Sequence, residues 1–302
     1  MKKLVLLAII LAWMPGVRAN AQDANTVEAP KTLFAYPVAP DTIQSFENRV
    51  NYIVNKFWDN YDLSKPISDA DLAAFDGAFR DYLGFLRYCH RTVAISSVRD
   101  FLFKAQSNKA NFEKIAMLAE LGLYHVGAEY WSDDIYTEFL KAVTSNKALK
   151  QEVRKHYAKQ MERINRTQLG GSLAGVTYTD AEGKKVALGD IEADMLMVFI
   201  TLDGNADQSF QRVRLSTDVA INSILDGGKV KLLCISPEKY SKEWAANAKD
   251  YAQNWLVGAC PELSVDGDYD VRYTPSFIIL DKDKNIINKN VDIESIKATF
   301  GN

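Results

Sequence analysis

Three thiols, Cys89, Cys234 and Cys260, are by type the side chains best suited to covalent chemistry in this 302-residue chain. Thiol exchange needs an attacking thiolate and a second sulfur that resolves the mixed disulfide, so its productive spacing is CxxC. None of the three lies in such a pair, and an odd count leaves at least one thiol free. Cys234 stands within the apolar run KVKLLCIS, where a buried, inert thiol is expected. Cys260, in VGACPELS, is expected in a loop and is the one candidate reactive thiol. The other constellations are thinner. His90, His125 and His156 are far apart and none falls in HExxH, which argues against zinc. Asp203 and Asp207 make a carboxylate pair, but no base, nucleophile or substrate signature accompanies them. Asp266, Asp268 and Asp270 alternate as in a calcium loop, yet the glycine at its sixth position is missing and Phe277 stands at the twelfth, so a solvated acidic loop is expected. No cofactor or metal is implied.

The elements that must position these residues fall into two blocks. From about Asp41 the pattern is helical: Phe75, Phe79, Tyr82 and Leu86 share one stripe, and NFEKIAMLAELGLYHVG, DDIYTEFLKAVT and KALKQEVRKHYAKQMERI behave likewise. Residues 41–168 read as a small all-helical domain. Its aromatic stretch Phe57, Trp58 and Tyr61 is read as core, with a carbohydrate- or peptide-stacking surface as the other option. Paired glycines in LGGSLAG, residues 169–175, mark a junction that lacks both GK[ST] and GxSxG. Beyond it, strand and helix alternate. A hairpin is expected over 176–188, buried strands over 194–202 and 229–236, and a helix over 206–225 with Phe210, Val213, Ala220 and Ile224 inward. A long helix is expected over EKYSKEWAANAKDYAQNWL, then a strand led by Pro275, a turn at DKDKN, a short edge strand and a helix from Asp292. That order is an α/β domain, residues 169–302, with a mixed sheet flanked by helices.

Two motifs give this block a relative. Asp180 to Asp190 reads D-x-x-G-x-x-V-x-L-x-D, and Tyr269 to Asp281 reads Y-x-V-x-x-x-P-S-F-I-I-L-D. Over about residues 170–302 the chain resembles the thioredoxin-like fold, in its exported thiol-disulfide oxidoreductase and resin-like branch. The resemblance implies a cis bond between Thr274 and Pro275, which leaves the backbone before the proline free to pair with an extended peptide. It also implies an Asp-Cys-x-x-Cys where the central strand meets the next helix, and that register falls on Asp203, Gly204, Asn205, Ala206 and Asp207. Both cysteine positions are therefore taken, by Gly204 and Asp207. Glycine cannot attack and a carboxylate cannot resolve, whereas Asp207 suits a helix N-terminus and Asn205 or Asp203 can cap it. The helical half resembles, through FWDNYDLS, a domain of unknown function that precedes such thioredoxin-like domains in exported bacterial proteins.

The ends and the charge set the setting. Lys2 and Lys3, an apolar stretch to Met14 and the break at Pro15-Gly16 read as a signal peptide, with cleavage after Ala21 behind Ala19-Asn20-Ala21. No lipobox cysteine follows and no later apolar run is long enough to span a bilayer, so a periplasmic protein is expected, with residues 22–40 a flexible leader. A net charge of −3 without long runs of one sign gives no sign of nucleic-acid binding. The expected function is non-covalent binding of an extended peptide, an exported protein or a small ligand, in a groove formed by Thr274, Pro275 and the turn from Asp203 to Asp207. The alternatives are a thiol-disulfide oxidoreductase or isomerase working through Cys260 or a partner's cysteine, and a scaffold without catalytic activity. Oligomeric state is left open.

Overall fold

The computed structural model describes residues 32–300. The expected signal peptide and residues 22–31 of the leader lie outside the described residues. The chain divides into two compact units, with the cut after Gln151.

The first unit holds five described helices: α1 Phe46–Lys56, α2 Leu72–Leu86, α3 Arg91–Ala105, α4 Lys109–Leu123 and α5 Asp133–Ser145. Ser45, Asn108 and Ser132 begin α1, α4 and α5 by accepting from backbone N–H groups of the first turn, which satisfies donors the helix itself leaves open. The stripe of Phe75, Phe79, Tyr82 and Leu86 is buried along its whole length. It meets Phe57, Trp58, Phe101 and Phe139, with 4.7 Å between the Trp58 and Phe101 ring centroids. Phe57 and Trp58 are thus core. The leader is tied down earlier than expected: the Phe34 ring lies 5.5 Å from Trp58, and the Tyr36 hydroxyl donates to Asp81 at 2.8 Å.

The second unit takes in all but the first residue of α6 Gln151–Arg166, a helix the sequence pattern had joined to the preceding ones. Seven strands follow: β1 Thr177–Asp180, β2 Lys185–Ala187, β3 Met195–Ile200, β4 Val230–Ser236, β5 Leu256–Ala259, β6 Ser276–Asp281 and β7 Ile286–Val291. They form one sheet in the order β2-β1-β5-β4-β3-β6-β7. β4 runs parallel to both β3 and β5, and the remaining pairs are antiparallel. The period of two along the central strands builds two cores. Leu196, Val198, Ile200, Leu233, Ile235, Ile278 and Leu280 fill one face with Tyr178 and Leu188. Met197, Phe199, Cys234, Phe277 and Ile279 fill the other, with Leu215, Ile221, Leu225 and Ile296.

The connections differ from the sequence expectation in two places. The helix expected over 206–225 is two helices, α7 Ala206–Ser216 and α8 Val219–Asp226. Asp218 accepts from Ala220 N–H and Ile221 N–H, each at 3.1 Å, and so starts a new helix. The inward side is Gln208, Leu215, Ile221 and Leu225, while Phe210 and Val213 are 67% and 60% exposed. The long helix expected next is reduced to α9 Lys242–Asn247 and a 3₁₀ turn, and its final residue opens β5, a strand that was not expected. The terminal helix, α10, is Ile293–Phe300.

Candidate functional site

The site forms where β3 ends and α7 begins. Asn205, in extended backbone, accepts from Gln208 N–H at 3.0 Å and is the N-cap of α7. Gly204 before it has φ +75°, a left-handed conformation that disfavours a side chain there. Asn205, Ala206 and Asp207 are exposed, with Asp207 in the first turn, where the helix dipole favours an acid. The Thr274–Pro275 bond is cis, and both residues are half-buried.

Gln208 joins these parts. Its Oε1 accepts from Leu202 N–H at 2.7 Å and from the Thr201 hydroxyl at 3.3 Å. Its Nε2 donates to the Thr274 hydroxyl at 3.1 Å and to the Thr274 carbonyl at 3.3 Å. The backbone before Pro275 is therefore not wholly free for a peptide: its carbonyl is already engaged within the protein.

Asp203 belongs to a different arrangement from Thr274. Its Oδ1 accepts from the Tyr251 hydroxyl and lies 3.4 Å from Arg212 Nη2. Burial, and then the bond to Asp203, raise the Tyr251 phenol far above its usual range, which keeps it a donor. Arg212 also donates to the Thr201 hydroxyl, the Leu202 carbonyl and the Ser209 hydroxyl at 2.8–3.0 Å, and its guanidinium lies 5.1 Å from the Tyr251 ring centroid. Beside this group opens a cavity of about 290 Å³, with Asp203, Gly204, Arg212, Val213, Tyr251 and Trp255 in its wall. The expected single groove is thus divided. Asp203 and Gly204 line the cavity, Asn205, Ala206 and Asp207 form the exposed start of α7, and Thr274 and Pro275 lie across Gln208 from them.

The remaining sequence candidates stand apart from this place. Cys260 is not on an exposed loop: it directly follows β5, is 1% exposed, and burial pushes its thiol up to about 11. Burial also raises the Cys234 thiol within β4, and pushes Cys89 up to about 11. Asp266 and Asp268 are exposed as expected, but Asp270 is buried in an ion-pair cluster with Arg272 and Lys289. Among the described residues no group of three His, Cys, Asp or Glu side chains is placed to hold a metal ion, and no helix is long and apolar enough to cross a membrane.

Gln208, Arg212, Tyr251 and Trp255 were not singled out from the sequence. The first two had a signal, since 208, 212 and 215 are spaced as one helical stripe. Tyr251 and Trp255 had none, because they reach the site only through the fold of the segment before β5.

A parallel and antiparallel sheet with a helix starting beside a cis-proline loop defines a thioredoxin-like domain, here preceded by helices. The comparisons agree. The structure resembles that of a thioredoxin-like protein from Bacteroides caccae, with a TM-score of 0.79 and 21% identity, covering 90% of this chain and 99% of that one. Also similar are the C-terminal domain of an uncharacterized protein from Bacteroides fragilis (TM-score 0.41, 27% identity, 45% of this chain and 99% of that one) and the thioredoxin domain of a thiol-disulfide oxidoreductase from Bacteroides vulgatus (TM-score 0.37, 16% identity, 43% and 94%). No curated protein matches. The profile of the family described as Domain of unknown function (DUF5106) matches residues 17–167, and the chain belongs to that family.

Proposed function

We propose that this is an exported, redox-inactive thioredoxin-like protein that binds a peptide, a protein partner or a small ligand non-covalently where α7 begins. The observation that carries this reading is the chemistry of that junction. Gly204 and Asp207 occupy the positions of the two exchange cysteines, and a cavity opens beside them. Thiol chemistry needs an accessible thiolate. Gly204, in the left-handed region, and the exposed Asp207 supply none, and burial holds all three thiols in their protonated form. A thiol-dependent enzyme working through Cys260 has the same burial against it. The periplasmic setting rests on the basic and apolar start of the sequence and on Ala19-Asn20-Ala21.

The test is panning of a random-peptide library, cysteine included, on the immobilised full chain, followed by intact-mass spectrometry. Enriched peptides that elute without reductant and leave no mass adduct support the reading. Peptides recovered only after dithiothreitol, as mixed disulfides, would restore the thiol enzyme, and a library with no enriched sequence would leave the scaffold role.

A further inference from the structure

The outer side of α7 carries a pattern that the candidate site does not use. Ala206, Asp207, Phe210, Val213, Arg214 and, at its C-cap, Thr217 are all exposed, whereas Gln208 and Leu215 are its buried residues. Phe210 and Val213 are each more than half exposed, and Val219, just beyond the helix, is 83% exposed. A lone exposed apolar residue is ordinary, but a row of them in register is not. Ala206, Phe210, Val213 and Thr217 are spaced four, three and four, which is the period of a seam between two helices. The Thr217 hydroxyl is turned back, donating to the Val213 carbonyl at 3.0 Å. Charges flank this seam at its two ends. Asp207, in the first turn, has no ion-pair partner among the described residues, and Arg214, in the last turn, pairs with Glu294 across two exposed side chains.

We propose that this face pairs with the same face of a second copy of the chain, α7 against α7, antiparallel about a two-fold axis. The order of the seam supports that arrangement. Reversed on itself, it sets Phe210 against Val213 of the second copy and Ala206 against its Thr217, and the two-fold makes each contact twice. Charge selects the direction. Antiparallel helices bring Asp207 of each copy beside Arg214 of the other, whereas parallel helices would set Asp207 against Asp207 and Arg214 against Arg214. The face is thus complementary to itself in one orientation, with an apolar centre and an acid and a base at opposite ends. A seam on one helix of 11 residues is small beside the roughly 1,200–2,000 Å² of a stable interface, so the dimer is expected to be weak. The proposal goes beyond the binding reading and does not rest on it, since it needs no ligand in the cavity.

Sedimentation equilibrium on the chain without its expected signal peptide, from about 5 μM to about 500 μM to suit a weak interface, tests this. A monomer and a dimer in equilibrium are expected. Phe210→Glu is expected to abolish the dimer and to leave the melting temperature of dilute protein unchanged, because the side chain is exposed in the monomer. Asp207→Lys and Arg214→Glu each bring like charges together at both symmetric contacts, and each is expected to weaken the dimer about fivefold. The double variant Asp207→Lys with Arg214→Glu restores opposite charges and is expected to return dimerisation to within about twofold of wild type. It also carries both unfavourable helix-end charges, so its recovery cannot come from a more stable fold. A single monomeric species at every concentration, or a dimer that Phe210→Glu leaves intact, overturns the self-pairing. Single charge variants without effect, or a double variant that does not recover, overturn the antiparallel arrangement. A dimer that persists when the peptide library enriches nothing sinks the ligand reading alone, and enriched peptides with a monomeric chain sink the self-pairing alone.

Discussion

Asp270 shows how a single residue holds the loop that carries Pro275. Its carboxylate is fully buried, 3.0 Å from Arg272 Nη2 and 2.9 Å from Lys289 Nζ. Its backbone N–H donates to the Thr167 hydroxyl at 2.7 Å. β7 is thereby fastened to the segment that leads into Thr274, so the cluster positions the loop although it is not itself part of the cavity. Burial alone raises the carboxyl pKa, but Arg272 and Lys289 outweigh it and hold the group below its ordinary value. Asp270→Asn keeps the shape and removes the charge, leaving two buried cations without this carboxylate, and is expected to destabilise by about 3–5 kcal/mol in urea denaturation at neutral pH. The pH dependence has a definite sign. The folded pKa lies below the unfolded value of about 3.9, so the ion-pair stabilisation is complete above that value and is lost as pH falls through the folded pKa. The gap between wild type and Asp270→Asn should therefore narrow under acid, and a gap that stays constant to about pH 2 would remove the ion pairs as its cause.

Among the elements, those buried on both faces were legible and those set by a single contact were not. β3, β4 and β6 read as unbroken apolar runs because they lie in the middle of the sheet with a core on each side. The hairpin of β1 and β2 was readable from Asp180 to Gly183, and the α2 stripe from its spacing. The start of α7 was readable too, but the Gln208 bridge and the Asp203 arrangement depend on side chains meeting across the fold. β5 stayed hidden because four residues show no periodicity and the third is a glycine. That glycine has a packing reason. A Cβ on Gly258 would lie 2.1 Å from Cδ2 of the Tyr178 ring, which is itself buried. Gly258→Ala is expected to cost about 1–3 kcal/mol in chemical denaturation through overpacking between β1 and β5. The double variant with Tyr178→Ala locates the cause: most of the alanine penalty should disappear there, and a penalty of undiminished size would exclude the ring.

At the scale of the whole molecule, the family boundary and the packing boundary do not coincide. The DUF5106 match ends at residue 167, and the glycine pair after it reads as a junction, yet α6 groups with the sheet rather than with the preceding helices. Sequence pattern and packing divide the chain differently here because α6 carries the same amphipathic period as its helical predecessors, and periodicity says which face is buried without saying against what. The contacts supply that. Arg163 donates to the carbonyls of Val265 and Tyr269, and Thr167, just past the end of α6, takes the Asp270 N–H. An N-terminal truncation that starts at residue 169 removes all of these, including the only acceptor shown for a buried amide, whereas one that starts at residue 152 keeps them. Leaving such an amide without a partner costs about 1–3 kcal/mol, and losing the Arg163 bonds adds to it. At roughly 2–4 °C per kcal/mol for a domain of this size, the lost amide partner alone should lower the melting temperature of the shorter fragment by about 2–12 °C relative to the longer one by calorimetry, and the lost Arg163 bonds should lower it further. Equal melting temperatures would return α6 to the helical half and place the domain junction at the glycine pair.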